Sequence, residues 1–214
     1  MTTSSASVVT PERFASGMAW ADYRAYIGSE ENLARESPAG GARPDNSEKF
    51  DSNYNEFEIS AEEAATLQGL PKLKMLVIGE DWCPDVFRGA PTLAKIAETA
   101  GWESRFFQRD DNHDIILEFL NKKDGQEFES IPVAVLYTLE HEYVGHFIER
   151  PRVANDHMAG MQKMFTREEG ESEDDMRNRI RAAYRELQQS DEWDRWRHAT
   201  IDEIVELAKA APGA

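Results

Sequence analysis

One residue in this chain joins a nucleophilic side chain to a position that would activate it: Cys83, the single cysteine, within Gly79–Val86 (GEDWCPDV). There an apolar, strand-like run feeds directly into a helix start. The first N–H groups of a helix point outward without partners, and together with the helix dipole they favour the thiolate over the thiol. Pro84 suits the first helical turn because it has no N–H to lose, and Trp82 is placed to shield one side of the sulfur. Glu80, Asp81 and Asp85 oppose activation. Each nearby carboxylate costs the thiolate roughly 0.5–2 kcal/mol, whereas the helix end contributes about 0.3–1 kcal/mol. Arg88, one turn into the helix, restores some positive field. The balance predicts a thiol with a near-normal pKa, roughly 8.5. At least one of Asp81 and Asp85 is also expected to cap the helix. Farther along, Ser130-Ile131-Pro132 opens a second strand-like run, where the proline is either an ordinary edge position or a cis peptide.

The other chemistry-bearing residues form no comparable pattern. The five histidines, 113, 141, 146, 157 and 198, are scattered. His141 and His146 lie five places apart on a turn-and-strand segment, where a zinc protease needs two on one helical face, so no metal site is expected. No Gly-x-Ser-x-Gly elbow occurs, and Gly40-Gly41 lacks the Lys-Ser/Thr of a phosphate-binding loop. Arg150 and Arg152 flank Pro151, either anchoring a carboxylate or offsetting the adjacent Glu149. With 24 Lys+Arg against 41 Asp+Glu, a net charge of -17 and a pI of about 4.7, the chain is poorly suited to nucleic acid or anionic lipid, whose binding rests on neutralising phosphates. No apolar run approaches the ~20 residues of a membrane span. Met1–Thr10 lacks the basic flank and apolar stretch of a secretory signal, so the expected location is cytoplasmic. One cysteine allows no internal disulfide.

The elements that must hold Cys83 follow from the hydrophobic pattern. After a disordered tail over residues 1–10, Phe14, Met18, Tyr23 and Tyr26 predict one amphipathic helix from Pro11 to near Gly28. Ser37–Asn55, rich in Pro and Gly, is expected to be a long exposed connection, and Ser60 caps a short helix over 60–68. Strand and helix signals then alternate: a strand over 73–79, a helix over 84–100 with a kink at Pro91, a strand over 102–108, a helix over 114–122, then strands over 131–138 and 143–148 joined by a short turn. This order predicts an α/β fold whose sheet has parallel pairing and an antiparallel closing edge. Beyond Pro151 the chain turns helical and charged. The acidic run 168–175 is a solvated connection, Met176 to Leu187 mark one helix, and the Thr200/Glu203 capping pattern starts a last helix over 201–210. Trp193 and Trp196 are expected to pack against the core.

Trp82-Cys83-Pro84-Asp85 after one strand, Ile131-Pro132 before another, and the order of elements between them resemble the thioredoxin superfamily. Glu80-Asp81-Trp82-Cys83, Arg109-Asp110-Asp111-Asn112 and Arg150-Pro151 look like the bacterial thioredoxin-like proteins with helical additions at both ends. The similarity covers about residues 60–152. It implies a thioredoxin-like α/β fold, a central mixed sheet flanked by helices, with residues 1–55 an N-terminal tail, helix and linker, 56–152 the thioredoxin-like domain, and 153–214 a C-terminal helical extension. It also implies that Cys83 attacks a disulfide, while Trp82, Pro84, Ile131 and a cis Pro132 line the groove where substrate backbone lies. Where dithiol members carry a second Cys, this chain has Val86, so no sulfur of its own can resolve a mixed disulfide on Cys83.

Two functions from different classes follow. The first is monothiol thiol–disulfide exchange through Cys83, needing no resident cofactor and resolved by an external thiol such as glutathione. Its partner would be a protein or small-molecule disulfide or thiol. The second is a redox-inactive binding or adaptor module that uses the Trp-Cys-Pro/Ile-Pro groove to hold an extended peptide. The helical extensions either cover core surface or build a homo-oligomer interface.

Overall fold

The structure, a computed structural model, describes residues 7–37 and 40–212. Residues 1–6 of the expected tail, and Pro38 and Ala39 of the expected connection, lie outside the described residues. Five helices precede the sheet: α1 (Pro11–Ala15), α2 (Trp20–Ile27), α3 (Glu30–Leu33), α4 (Ser47–Glu56) and α5 (Ala61–Gln68). Then come β1 (Lys74–Gly79), α6 (Pro84–Ala100), β2 (Glu103–Gln108), α7 (His113–Ile116), a small hairpin of β3 (Asn121–Lys123) and β4 (Gln126–Phe128), β5 (Val133–Tyr137) and β6 (Tyr143–Ile148). The chain ends with α8 (Arg152–Gly160), a 3-10 turn over Gln162–Phe165, α9 (Glu173–Gln188) and α10 (Asp191–Ala208).

The central sheet has the order β2-β1-β5-β6. β1 runs parallel to β2 and antiparallel to β5, and β5 pairs antiparallel with β6. It is thus a mixed sheet flanked by helices, as the resemblance implies. The register puts Val77, Phe106, Ala134 and Phe147 on one face and Ile78, Val133, Val135 and Tyr137 on the other, since cross-strand neighbours share a side. On the first face Val86 of α6 lies under Gly79 and Leu207 of α10 against Gly145, and Tyr23 of α2 stacks on Phe106 with centroids 5.3 Å apart. One apolar core runs from Val9 to Ala211, so the terminal helices share it with the sheet.

Several expected elements take another form. The helix from Pro11 to Gly28 is broken in two, because Met18 leaves it to exchange backbone hydrogen bonds with Phe106 of β2 at 3.0 and 2.8 Å. Val9 belongs to the core rather than to a disordered tail. The supposed connection 37–55 contains α4, which buries Phe50. The helix over 114–122 stops after Ile116, and β3 begins at Asn121. The last helix starts at Asp191, with Thr200 in its interior bonding back to the Trp196 carbonyl at 2.9 Å. By contrast, Ser60 caps α5 in a full capping box with Glu63, α6 runs on through Pro91, and Trp193 and Trp196 are buried.

Candidate functional site

β1 ends at Gly79 and the chain turns through Glu80, Asp81 and Trp82 to Cys83, the N-cap of α6, with Pro84 in its first turn. The Cys83 carbonyl accepts from the N–H groups of Val86 at 3.0 Å and Phe87 at 3.1 Å. Its Sγ lies 3.8 Å from the Ile131 carbonyl oxygen, to which the thiol donates, and the Ile131–Pro132 peptide is cis. Gly89 allows the close approach of α6 to this proline: a Cβ there would sit 2.9 Å from Pro132 Cγ. The fold therefore gathers Trp82, Cys83, Pro84, Ile131 and Pro132 at one corner. Trp82, Cys83 and Pro84 are half-buried, whereas Ile131 and Pro132 are buried. The guanidinium of Arg109 lies 5.2 Å from the centre of the Trp82 ring.

The Cys83 thiol does not keep a near-normal pKa. It is pushed up to about 12, first by burial, then by Asp85, with Glu149 adding to the rise while the N–H groups of Val86 and Asp85 oppose it. Burial outweighs both the helix end and the nearby carboxylates. Two of the three carboxylates, Glu80 and Asp81, are also engaged elsewhere. Glu80 and Asp81 both accept from Arg43 Nη1 at 2.7 Å. Glu80 also accepts from Arg35 Nη2 at 3.1 Å, and Asp81 from Asn32 Nδ2 at 2.9 Å. Arg43 reaches Asp110 at 3.4 Å as well. Neither Asp81 nor Asp85 caps α6, which has no side-chain cap.

A second ionic group lies on the other side of the cysteine. Asp85 is 3.1 Å from Arg150 and 3.7 Å from Arg88. Burial raises its pKa against the opposing pull of these two arginines. Arg150 pairs with Glu149 as well as Asp85, so both roles open to it in the sequence are filled. Arg88 is fully buried: its Nη2 donates to the Glu149 carbonyl at 3.3 Å, and its guanidinium lies 5.5 and 5.7 Å from the Trp193 and Trp196 rings.

Sequence reasoning missed Asn32, Arg35, Arg43, Glu149 and Tyr184. Tyr184 is half-buried on α9. Its hydroxyl pKa is raised by burial and then by Asp85, with Arg150 opposing and Cys83 and Glu149 adding, which brings the C-terminal extension up to the cysteine corner. No local spacing marks Asn32, Arg35 and Arg43, since their partners Glu80 and Asp81 lie tens of positions away. In the sequence Glu149 stands out only as the neighbour of Arg150. Among the described residues, no group of three or more His, Cys, Asp and Glu is placed to hold a metal ion. Among them too, no helix is long and apolar enough to cross a membrane.

A family model described as thioredoxin matches residues 38–166, extending beyond both sides of the motif-bearing segment. Among curated proteins none matches the chain significantly. Two solved structures share its fold. One is the 1.5 Å crystal structure of a protein of unknown function from Pseudomonas aeruginosa, with 17% identity and a TM-score of 0.63, covering 97% of this chain and 100% of that one. The other is an HIV epitope scaffold, with 17% identity, a TM-score of 0.61 and the same coverage.

Proposed function

The chain belongs to the thioredoxin family, and from that premise we propose that it works in the cytoplasm as a binding module, holding a partner protein rather than exchanging disulfides. The observation that carries this reading is the Cys83 thiol, pushed up to about 12 by burial and by Asp85. At neutral pH very little of it would be thiolate, the species that attacks disulfides. Val86 stands where a resolving cysteine would be needed, and Sγ is turned toward the Ile131 carbonyl. Trp82, Cys83 and Pro84 remain half-exposed over a closed floor of Ile131 and Pro132. An extended segment of the partner would lie across that rim, with the Arg109-backed Trp82 ring as its apolar anchor.

The test is alkylation of Cys83 by iodoacetamide across the alkaline range, beside incubation with oxidised glutathione. A rate still rising above about pH 10, with no mixed disulfide at neutral pH, is expected of a binding module. A midpoint below about pH 9, or a mixed disulfide that forms as fast as on a small thiol, would instead establish monothiol exchange resolved by an external thiol.

A further inference from the structure

The sheet face that carries Tyr137 is thinly covered. Because α7 ends at Ile116, the segment 117–120 crosses this face as loop, and between it, the chain before α1 and the β5–β6 turn opens a cavity of about 670 Å³. Its walls include the rings of Phe119, Tyr137, His141 and Tyr143, together with Glu118 and Ser7, and among the described residues no lysine or arginine lines it. Leu117 and Tyr143, at 50% and 55% exposure, stand at its mouth.

His141 and Tyr137 stack on one another in the wall of this cavity. His141 holds a positive φ of 70°, which is unusual for a residue with a Cβ. Its ring lies parallel to Tyr137 at 4.5 Å between centroids, and its Nε2 contacts the Val9 carbonyl at 2.8 Å. A carbonyl only accepts, so Nε2 carries the hydrogen and Nδ1 of the neutral ring is an acceptor. That Nδ1 and the Tyr137 hydroxyl oxygen are buried without partners among the described residues and are closed off from solvent, so the two rings line the cavity with their other atoms. Glu118 accepts from Ser7 Oγ at 2.7 Å and from the Val8 N–H at 2.5 Å, which leaves lone pairs on its carboxylate.

We propose that this cleft binds an alkylammonium group. The Glu118 carboxylate and several aromatic rings, with no lysine or arginine among the described residues of the wall, complement a head with three N–H donors, no acceptor and a positive charge. The alkyl stem would lie along Phe119 and the exposed edges of Leu117 and Tyr143. The inference is independent of the cysteine corner, because none of these residues contributes to it.

The test is titration of the full chain with n-butylammonium at low salt, followed by calorimetry and by NMR of the tyrosine and histidine rings, with n-butyrate and n-butanol as anionic and neutral controls of the same length. Saturable binding of the ammonium alone is expected, with shifts at His141 and Tyr143 and a loss of up to roughly fivefold in Glu118→Gln. Tyr143→Ala, which removes a largely exposed ring and spares the Ser7 and Val8 contacts of Glu118, is expected to weaken binding severalfold. N-acetyl-lysine amide serves as a second probe: tighter binding than the free amine would assign the group to a protein lysine, and weaker binding to a small free amine. No saturable response, equal binding of butanol or butyrate, or an unchanged affinity in both variants would overturn the proposal.

Discussion

Replacing Arg43 by Met removes the cation that holds the turn before Cys83. The Arg43 side chain is 1% exposed, and its Nη1 lies 2.7 Å from both Glu80 and Asp81, themselves 1% and 3% exposed. Breaking a buried ion pair by deleting one partner costs about 3–5 kcal/mol, because the remaining charge stays desolvated. Here Glu80 retains Arg35 and Asp81 retains Asn32 Nδ2, which places the expected loss at the lower end, about 3 kcal/mol. For a chain of this length that corresponds to a Tm lowered by roughly 6–12 °C. Urea unfolding followed by tryptophan fluorescence measures it directly, with m as the check on two-state behaviour. Arg24→Met is the matched control. Arg24 pairs with Asp51 near the surface, and such a pair contributes only about 0–1 kcal/mol. Adding Glu80→Gln and Asp81→Asn to Arg43→Met should recover most of the loss, since uncompensated charge is its cause. If Arg43→Met lies within 1 kcal/mol of the parent at unchanged m, or if the triple variant is no more stable than the single one, the electrostatic account of this turn is wrong.

Gly89→Ala places a Cβ 2.9 Å from Pro132 Cγ, so urea unfolding should show a loss of about 1–3 kcal/mol from overpacking. Trp193→Phe deprives the buried Asn53 carbonyl oxygen of the indole N–H that donates to it at 2.8 Å; a loss of about 1–3 kcal/mol is expected, and a neutral result would mean that water replaces the donor. Asp85 gives a pH dependence. Its folded pKa is raised by burial above the ordinary 3.8, so the folded chain holds this proton more tightly than the unfolded one. The corresponding stability is present at acid pH and lost as the pH rises through the folded value. Urea midpoints from pH 3 to 7 should therefore show Asp85→Asn gaining on the parent as pH increases, whatever constant offset the lost arginine contacts introduce; a difference that is flat or falls with pH contradicts the burial of an ionised Asp85.

The cysteine corner was legible because it is local. An apolar run, a cysteine and a proline at a helix start specify the turn from β1 into α6, and Ile131-Pro132 marks the strand that meets it. The depth of that corner is not legible locally, because the groups that close it come from α9 and α10 and from chain before α4. Arg43 illustrates the difficulty: flanked by glycines and prolines it reads as solvated loop, yet its partners are Glu80 and Asp81. Around α4, the buried Phe50, Asn53 and Phe57 keep a helical spacing that the Pro and Gly content of the wider segment obscures. At the C-terminus, Trp193, Trp196, Thr200, Ile201 and Ile204 form one continuous buried stripe, and that period overrode the capping pattern at Thr200. The segment 114–122 failed differently. Its apolar residues fit a helix, but Phe119 is drawn onto His146 of the sheet, with centroids 5.4 Å apart, and the hairpin at Asn121 takes over the chain.

The guanidinium of Arg88, wedged beside Trp193 and Trp196, sets the smallest unit in which this protein can be studied. The stretch matched by the family model ends at residue 166, and a fragment cut there would keep the arginine while discarding both indoles. It would hold a cation in an oily hollow open to water, and it would also lack the helix bearing Tyr184. Experiments on such a trimmed version would report on a corner that the intact chain never presents, so the trailing helices must be retained in any minimal version used to probe the cysteine.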